Sequence, residues 1–248
     1  MSTTNQRQDW EDLTVLDPLW AILSEPNRRF GRWPREDFFE TGRQEIDGLL
    51  RDGARFGLPV GRRDALDFGC GAGRLTQALS PHFENCLGLD LSKRMIGQAR
   101  KFAQGFENCS FEVHEPPTLA LFPGRSFDLV VSRLVLQHVP AADAKARYIA
   151  EFLRILRPGG LLAFQLPSHI PTRHRIQPRP RVYDLLRRMG VSPTTLYHHL
   201  RLHPIRMSSL ACSRVLDVIE AAGGKVLDAQ DRNVAGGVTS SDYLVTKR

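Results

Sequence analysis

The sequence predicts an α/β fold, a doubly wound seven-stranded sheet that is mostly parallel and ends in an antiparallel hairpin. Three observations predict it. From residue 63 onward, short apolar runs alternate with amphipathic stretches of ten or more residues, the rhythm of repeated β-α units. A glycine-rich turn follows the first of these runs, and two β-like runs close the chain. The chain has 248 residues, 42% of them apolar and 25% charged, enough to bury one sizeable core and outside the disordered, collagen-like and disulfide-scaffold classes.

The elements follow in order. Leu16, Leu19, Trp20 and Leu23 recur at helical spacing, and a second helical run covers 36–56, so residues 1–60 read as a helical lid. Residues 61–167 read as the core, with strands at Ala65–Phe68, Cys86–Leu89, Ser110–Val113, Phe127–Val131 and Leu161–Leu166. Tyr148, Ile149, Phe152, Leu153 and Leu156 fall on one face of a helix that Pro158-Gly159-Gly160 ends. Residues 168–207 form an insertion, and 208–248 complete the sheet through a helix at Ser213–Ala222 and the runs Lys225–Ala229 and Tyr243–Thr246. The short segment between those runs has no helical pattern, so they pair as a hairpin at the sheet edge. Trp20, Trp33, Phe38 and Phe39 either cover a site as a lid or, the commoner use of such residues, glue the N-terminal helices to the core.

No apolar run approaches the roughly 20 residues of a membrane span, and the first ten residues are polar, so a cytoplasmic protein is expected. Cys70, Cys86, Cys109 and Cys212 show no paired spacing, and no cluster of ligating side chains appears, so no metal is expected. The net charge of +7 is segregated. Residues 168–207 hold eight arginines (Arg173, Arg175, Arg179, Arg181, Arg187, Arg188, Arg201 and Arg206), no lysine and one acid, Asp184. The whole basic excess lies there, with apolar residues interleaved. A cap with a cationic lining and a solvated surface are equally open readings.

The most specific feature is Ala65-Leu66-Asp67-Phe68-Gly69-Cys70-Gly71-Ala72-Gly73-Arg74, a strand entering a tight turn and then a helix. Such a turn lets a ligand approach the backbone. Arg74 occupies the place of the third glycine of a dinucleotide fingerprint, and Asp67 would repel a pyrophosphate. The same carboxylate favours a ligand with a cationic amino group and an uncharged adenosine. Asp90 ends the second strand near the offset at which an acid binds both ribose hydroxyls; Asp90 as a helix cap is a compatible role.

With these residues the sequence resembles the class I S-adenosylmethionine-dependent methyltransferases, in particular the small-molecule group. Four blocks match in order: Leu66–Gly73; Gly88-Leu89-Asp90-Leu91-Ser92 followed by Met95; Ser126-Phe127-Asp128-Leu129-Val130; and Leu156-Arg157-Pro158-Gly159-Gly160. The resemblance covers about residues 61–167 and implies a Rossmann-like fold with S-adenosylmethionine as cofactor. It implies a cofactor site of Asp67, Phe68, Gly69, Cys70, Gly71, Gly73, Asp90, Leu91 and Met95, with Asp67 at the amino end and Leu91 and Met95 flanking the adenine. Glu115 and Pro116 stand where the family often has an adenine contact, and Ser132-Arg133-Leu134, at the end of the fourth strand, faces the sulfonium end.

The expected reaction is in-line methyl transfer to a small-molecule or lipid-like acceptor that carries negative charge. His138, at the ligand edge of the sheet, is the candidate base, since its ordinary pKa of about 6.5 suits proton acceptance near neutrality; a hydrogen-bonding imidazole is the commoner role. Gln137, Arg173, Arg175 and Tyr197 are the candidate acceptor contacts. The alternative is an RNA methyltransferase whose arginines hold phosphates. Against it, the fourth strand ends in Ser132-Arg133-Leu134-Val135, which is not a base-methylating signature.

Overall fold

The computed structural model of the chain describes residues 3–115, 118–172, 176–234 and 237–247. A seven-stranded sheet runs through it in the order β3-β2-β1-β4-β5-β7-β6. The strands are β1 (Asp64–Phe68), β2 (Asn85–Asp90), β3 (Cys109–Val113), β4 (Phe127–Ser132), β5 (Leu156–His169), β6 (Gly224–Val234) and β7 (Val238–Lys247). The first five pair in parallel, whereas β7 runs antiparallel between β5 and β6. All six residues of β4 are buried, as a central strand covered on both faces must be. The terminal hairpin forms at the sheet edge as expected, and it is longer than expected because the polar segment between its apolar cores is itself extended.

Helices α1 (Thr3–Leu16) and α2 (Pro18–Ile22) precede α3 (Arg35–Ala54), α4 (Arg74–Leu79), α5 (Lys93–Phe102) and α6 (Ala142–Ile155). The insertion folds as α7 (Pro178–Arg188) and α8 (Pro193–His198), and α9 (Cys212–Ala221) follows it. Helix α3 shares a core with the sheet: Ile46, Leu49 and Leu50 pack with Leu75, Leu79, Leu129 and Leu161. Gly42 permits this, since a Cβ there would lie 2.5 Å from the Arg74 carbonyl oxygen. Helices α1 and α2 instead reach the ligand edge, through Gln6, Trp10, Ala21 and Ile22. On the opposite face α6 and α9 bury Ile149, Phe152, Val215 and Ile219 against β4 and β5.

Trp20, Trp33, Phe38 and Phe39 are all buried, in one cluster with Tyr197. They glue the N-terminal helices and the insertion together. The third and fourth motif blocks form a lock. Asp128 accepts the N–H groups of Arg63 (3.0 Å) and Asp64 (2.9 Å), while Arg157 bridges Asp128 (2.8 Å) and Asp64 (2.7 Å). Pro158-Gly159-Gly160 stands in the irregular start of β5, where pairing shifts between Phe127 and Leu129 of β4. Gly160 is required there because a Cβ would lie 2.9 Å from the Asp128 carbonyl oxygen.

Candidate active site

A cavity of about 310 Å³ opens at the C-terminal edge of β1, β2 and β4, the edge at which doubly wound sheets bind ligands. Its floor is the glycine turn. Gly69 and Gly71 line it with φ of +80° and +53°, and both adopt the left-handed conformation. Asp90 lines it too, and its carboxylate ties the turn to β2, accepting N–H bonds from Gly71 at 3.0 Å and Ser92 at 2.9 Å. Burial pushes its pKa up to about 6, a rise that these backbone donors oppose. The helix cap is Ser92, whose Oγ accepts from Met95 N at 3.1 Å. Phe68, Leu91 and Met95 complete the expected part of the lining.

Several expected site residues lie elsewhere. Asp67 and Phe68 are successive strand residues and so face opposite sides of the sheet. Phe68 packs on His114 and Tyr148 at the cavity, with ring centroids 5.3 and 4.9 Å away. Asp67 is buried on the other side, where its carboxylate accepts the Thr76 hydroxyl at 2.7 Å, so it does not line the cavity. Burial pushes its pKa up to about 7. Cys70 and Gly73 also lie off the cavity; a Cβ at Gly73 would meet the Phe111 ring at 2.9 Å, so this glycine serves the approach of β3. Ser132 is buried, off the cavity, and its hydroxyl has no hydrogen-bond partner among the described residues. Glu115 is exposed and pairs with Arg7 at 3.2 Å, and its neighbour His114 takes the place at the cavity. Pro116, Arg173 and Arg175 lie outside the described residues.

A second cavity of about 270 Å³ adjoins the first. Gln6, Trp10, His138 and Pro140 line both. His138 is held on three sides: Nδ1–H donates to the Arg206 carbonyl at 2.6 Å, Nε2 accepts from the Gln137 side chain at 3.1 Å, and the Trp10 ring lies edge-on at 5.2 Å. A carbonyl only accepts, so Nδ1 carries the proton and Nε2 the lone pair. Burial pushes the imidazole down to about 4, partly opposed by its bond to the Arg206 carbonyl, so it is neutral at pH 7. Gln137 is buried behind His138 and lines neither cavity. Tyr197 is core: it donates to Asp17 at 2.7 Å and packs on Trp20, away from both cavities.

The N-terminal helices contribute Gln6, Trp10 and Ile22, and the stretch after β4 contributes Arg133, Leu134 and Val135. Arg133 and Leu134 belong to the stretch expected at the sulfonium end, whereas Gln6, Trp10, Ile22 and Val135 were not foreseen. Position supplied the one available signal: Arg133 directly follows β4, at the ligand edge. It pairs with Glu45 at 3.3 Å and with Asp242.

This sheet order, with a cavity built on a GxGxG turn and an acid ending β2, defines the class I S-adenosylmethionine-dependent methyltransferase fold. Residues 66–164 match the family described as methyltransferase domain. The stretch that spans β1 to β5 thus resembles such a domain. The chain is 36% identical over 91 residues to the uncharacterized methyltransferase YcgJ of Bacillus subtilis (strain 168), covering 36% of each chain. It is 38% identical over 114 residues to trans-aconitate 2-methyltransferase of Deinococcus radiodurans, covering 45% of this chain and 41% of that protein. The chain thus spans well under half the length of these two curated relatives. The crystal structure of magnesium protoporphyrin IX methyltransferase (ChlM) from Synechocystis PCC 6803 with bound SAH superposes with a TM-score of 0.65 at 18% identity, over 100% of both chains.

Proposed function

We propose that the chain methylates a small-molecule acceptor that carries an anionic group and sits in the second cavity, beside cofactor held in the first. The observation that carries this reading is the shared wall. His138 and Trp10 line both cavities, which is the arrangement a transfer between two bound molecules needs. S-Adenosylmethionine supplies a methyl carbon already activated by the sulfonium, so the protein's task is alignment and exclusion of water, worth about 7–11 kcal/mol.

Asp90 receives the ribose hydroxyls, and Leu91 and Met95 flank the adenine. Gly69 and Gly71 meet the methionine portion, and Arg133, which lines the same cavity, faces its carboxylate. The neutral His138 acts on a hydroxyl acceptor when that hydroxyl displaces the Gln137 side chain from Nε2, whose lone pair the amide now occupies. Arg181, an exposed guanidinium lining the second cavity, meets the acceptor's negative charge. The trans-aconitate methyltransferase named above is a relative whose acceptor is carboxylated. Calorimetry tests the donor side: S-adenosylhomocysteine binds and NAD does not, and the reverse result refutes the reading. A screen of carboxylated and neutral acceptors with labelled S-adenosylmethionine tests the other side. Exclusive transfer to neutral acceptors would remove the role given to Arg181.

A further inference from the structure

The described arginines of the insertion divide into two groups. Arg187 pairs with Asp12 at 3.3 Å and Arg206 pairs with Asp184, so both are consumed in holding the cap to α1 and to itself. Arg179, Arg181 and Arg188 are exposed on α7 and make no ion pair among the described residues. Between them runs an apolar stripe. Val182, Leu185 and Met189 are 44%, 59% and 71% exposed, and their spacing of three and four residues puts them on one helix face. Arg181 and Arg188 border that face on one side and Arg179 on the other. The inward face of α7 is made by Pro180 and Tyr183, so the stripe is not needed for the core.

We propose that α7 lies on the surface of an anionic phospholipid bilayer, the stripe entering the acyl boundary and the flanking arginines meeting the headgroups. Charge complementarity selects this occupant, because the exposed cations carry the charge excess that no internal acid neutralises. A single-stranded nucleic acid stacks its bases on aromatic faces, yet Tyr183 and Tyr197 are buried and the stripe is aliphatic, a face that a phosphate backbone gains nothing by covering. The same segment reaches the second cavity through Ile176, Gln177 and Arg181. The acceptor is therefore a membrane-borne amphiphile that enters the second cavity from the bilayer. This last step rests on the methyl-transfer reading above; the docking of α7 does not.

The test is flotation of the full chain with vesicles of phosphatidylcholine alone and of equimolar phosphatidylcholine and phosphatidylglycerol. Binding is expected to the second only and should fall as salt is raised. Arg179→Gln with Arg188→Gln should weaken it roughly thirtyfold, at about 1 kcal/mol per arginine. Leu185→Ser with Met189→Ser should weaken it as well, while all variants keep the parent's affinity for S-adenosylhomocysteine by calorimetry. Equal binding to both vesicles, or to neither, overturns the proposal. So does a surface that keeps its affinity in the serine variant and is competed by poly(U), which would mark a nucleic-acid face. A chain that floats but fails to bind S-adenosylhomocysteine would overturn the methyl-donor reading and leave the docking standing.

Discussion

Gly69→Ala is the sharpest perturbation of the candidate site, because two separable costs meet at one atom. Gly69 has φ of +80°, and forcing an alanine into the left-handed region costs about 1–2 kcal/mol. A Cβ there would also lie 2.7 Å from Val135 Cγ1 and closer still to Cγ2; overpacking of this kind costs about 1–3 kcal/mol. Together the expected destabilisation is about 2–5 kcal/mol by urea unfolding, with a weakened affinity for S-adenosylhomocysteine because Gly69 and Val135 both line the cavity. The two costs are distinguished by Val135→Ala. In the alanine-69 background that second change should recover the packing part, giving a coupling energy of about 0.5–3 kcal/mol, and should leave the backbone part in place. A Gly69→Ala protein as stable as the parent, or one whose loss is untouched by Val135→Ala, refutes the reasoning.

Cofactor affinity should fall as the pH drops below about 6, where the raised Asp90 carboxyl gains its proton, and Asp90→Asn should show a weaker affinity that no longer varies over that range; calorimetry at pH 5 and 8 decides. Asp67 is raised to about 7 by burial, so the folded chain keeps a proton that the unfolded chain has lost, and its contribution, full below pH 4, is gone once the pH has risen through 7. Asp67→Asn should therefore raise Tm relative to the parent at pH 8 and not at pH 4, by at least roughly the 2–4 °C that 1 kcal/mol represents in a domain of this size. His138 has the opposite sign: its pKa is lowered to about 4, so its contribution is present above 6.5 and lost as the pH falls through 4, and His138→Gln should narrow the gap between the Tm values at pH 7 and pH 5. Asp128→Ala should cost about 3 kcal/mol, because it leaves two N–H groups without their acceptor and Arg157 with Asp64 alone; an unchanged urea midpoint would dismiss the lock.

The strands were legible because central parallel strands are short apolar runs, and those runs supplied the order of elements. The turn was legible for a related reason: glycine is the residue that the left-handed positions 69 and 71 require. The cavity was much less so. Asp67 and Phe68 are adjacent in sequence and divided by the sheet, and no composition says which of two successive strand residues faces the ligand edge. Glu115 was named because it stands where the family often has an adenine contact, and the residue that reaches the cavity is its neighbour His114. Trp10 and Gln6 reach the cavity only because α1 crosses over it, a tertiary event with no local signature.

The charge of the insertion shows how far counting goes. A tally of eight arginines against one acid within 168–207 treats the stretch as if its partners lay inside it, and Asp184 does take Arg206. Asp12 lies well over a hundred residues away and still neutralises Arg187. The excess is thereby reduced where the cap meets α1, while Arg179, Arg181 and Arg188 stay exposed on α7 with no ion pair among the described residues. A cationic lining around the acceptor is accordingly thinner than the tally implies, with Arg181 as the uncommitted guanidinium among the described residues at the second cavity. Arg181→Gln should consequently raise the KM of an anionic acceptor and leave its kcat and the cofactor affinity unchanged, the pattern of a contact made equally in the ground and transition states. Replacing Arg187 should act differently, through stability, since it frees Asp12 and loosens α1 over both cavities. A KM that ignores Arg181→Gln and responds to Arg187→Gln would show that the acceptor reads the shape of the cap and not its charge.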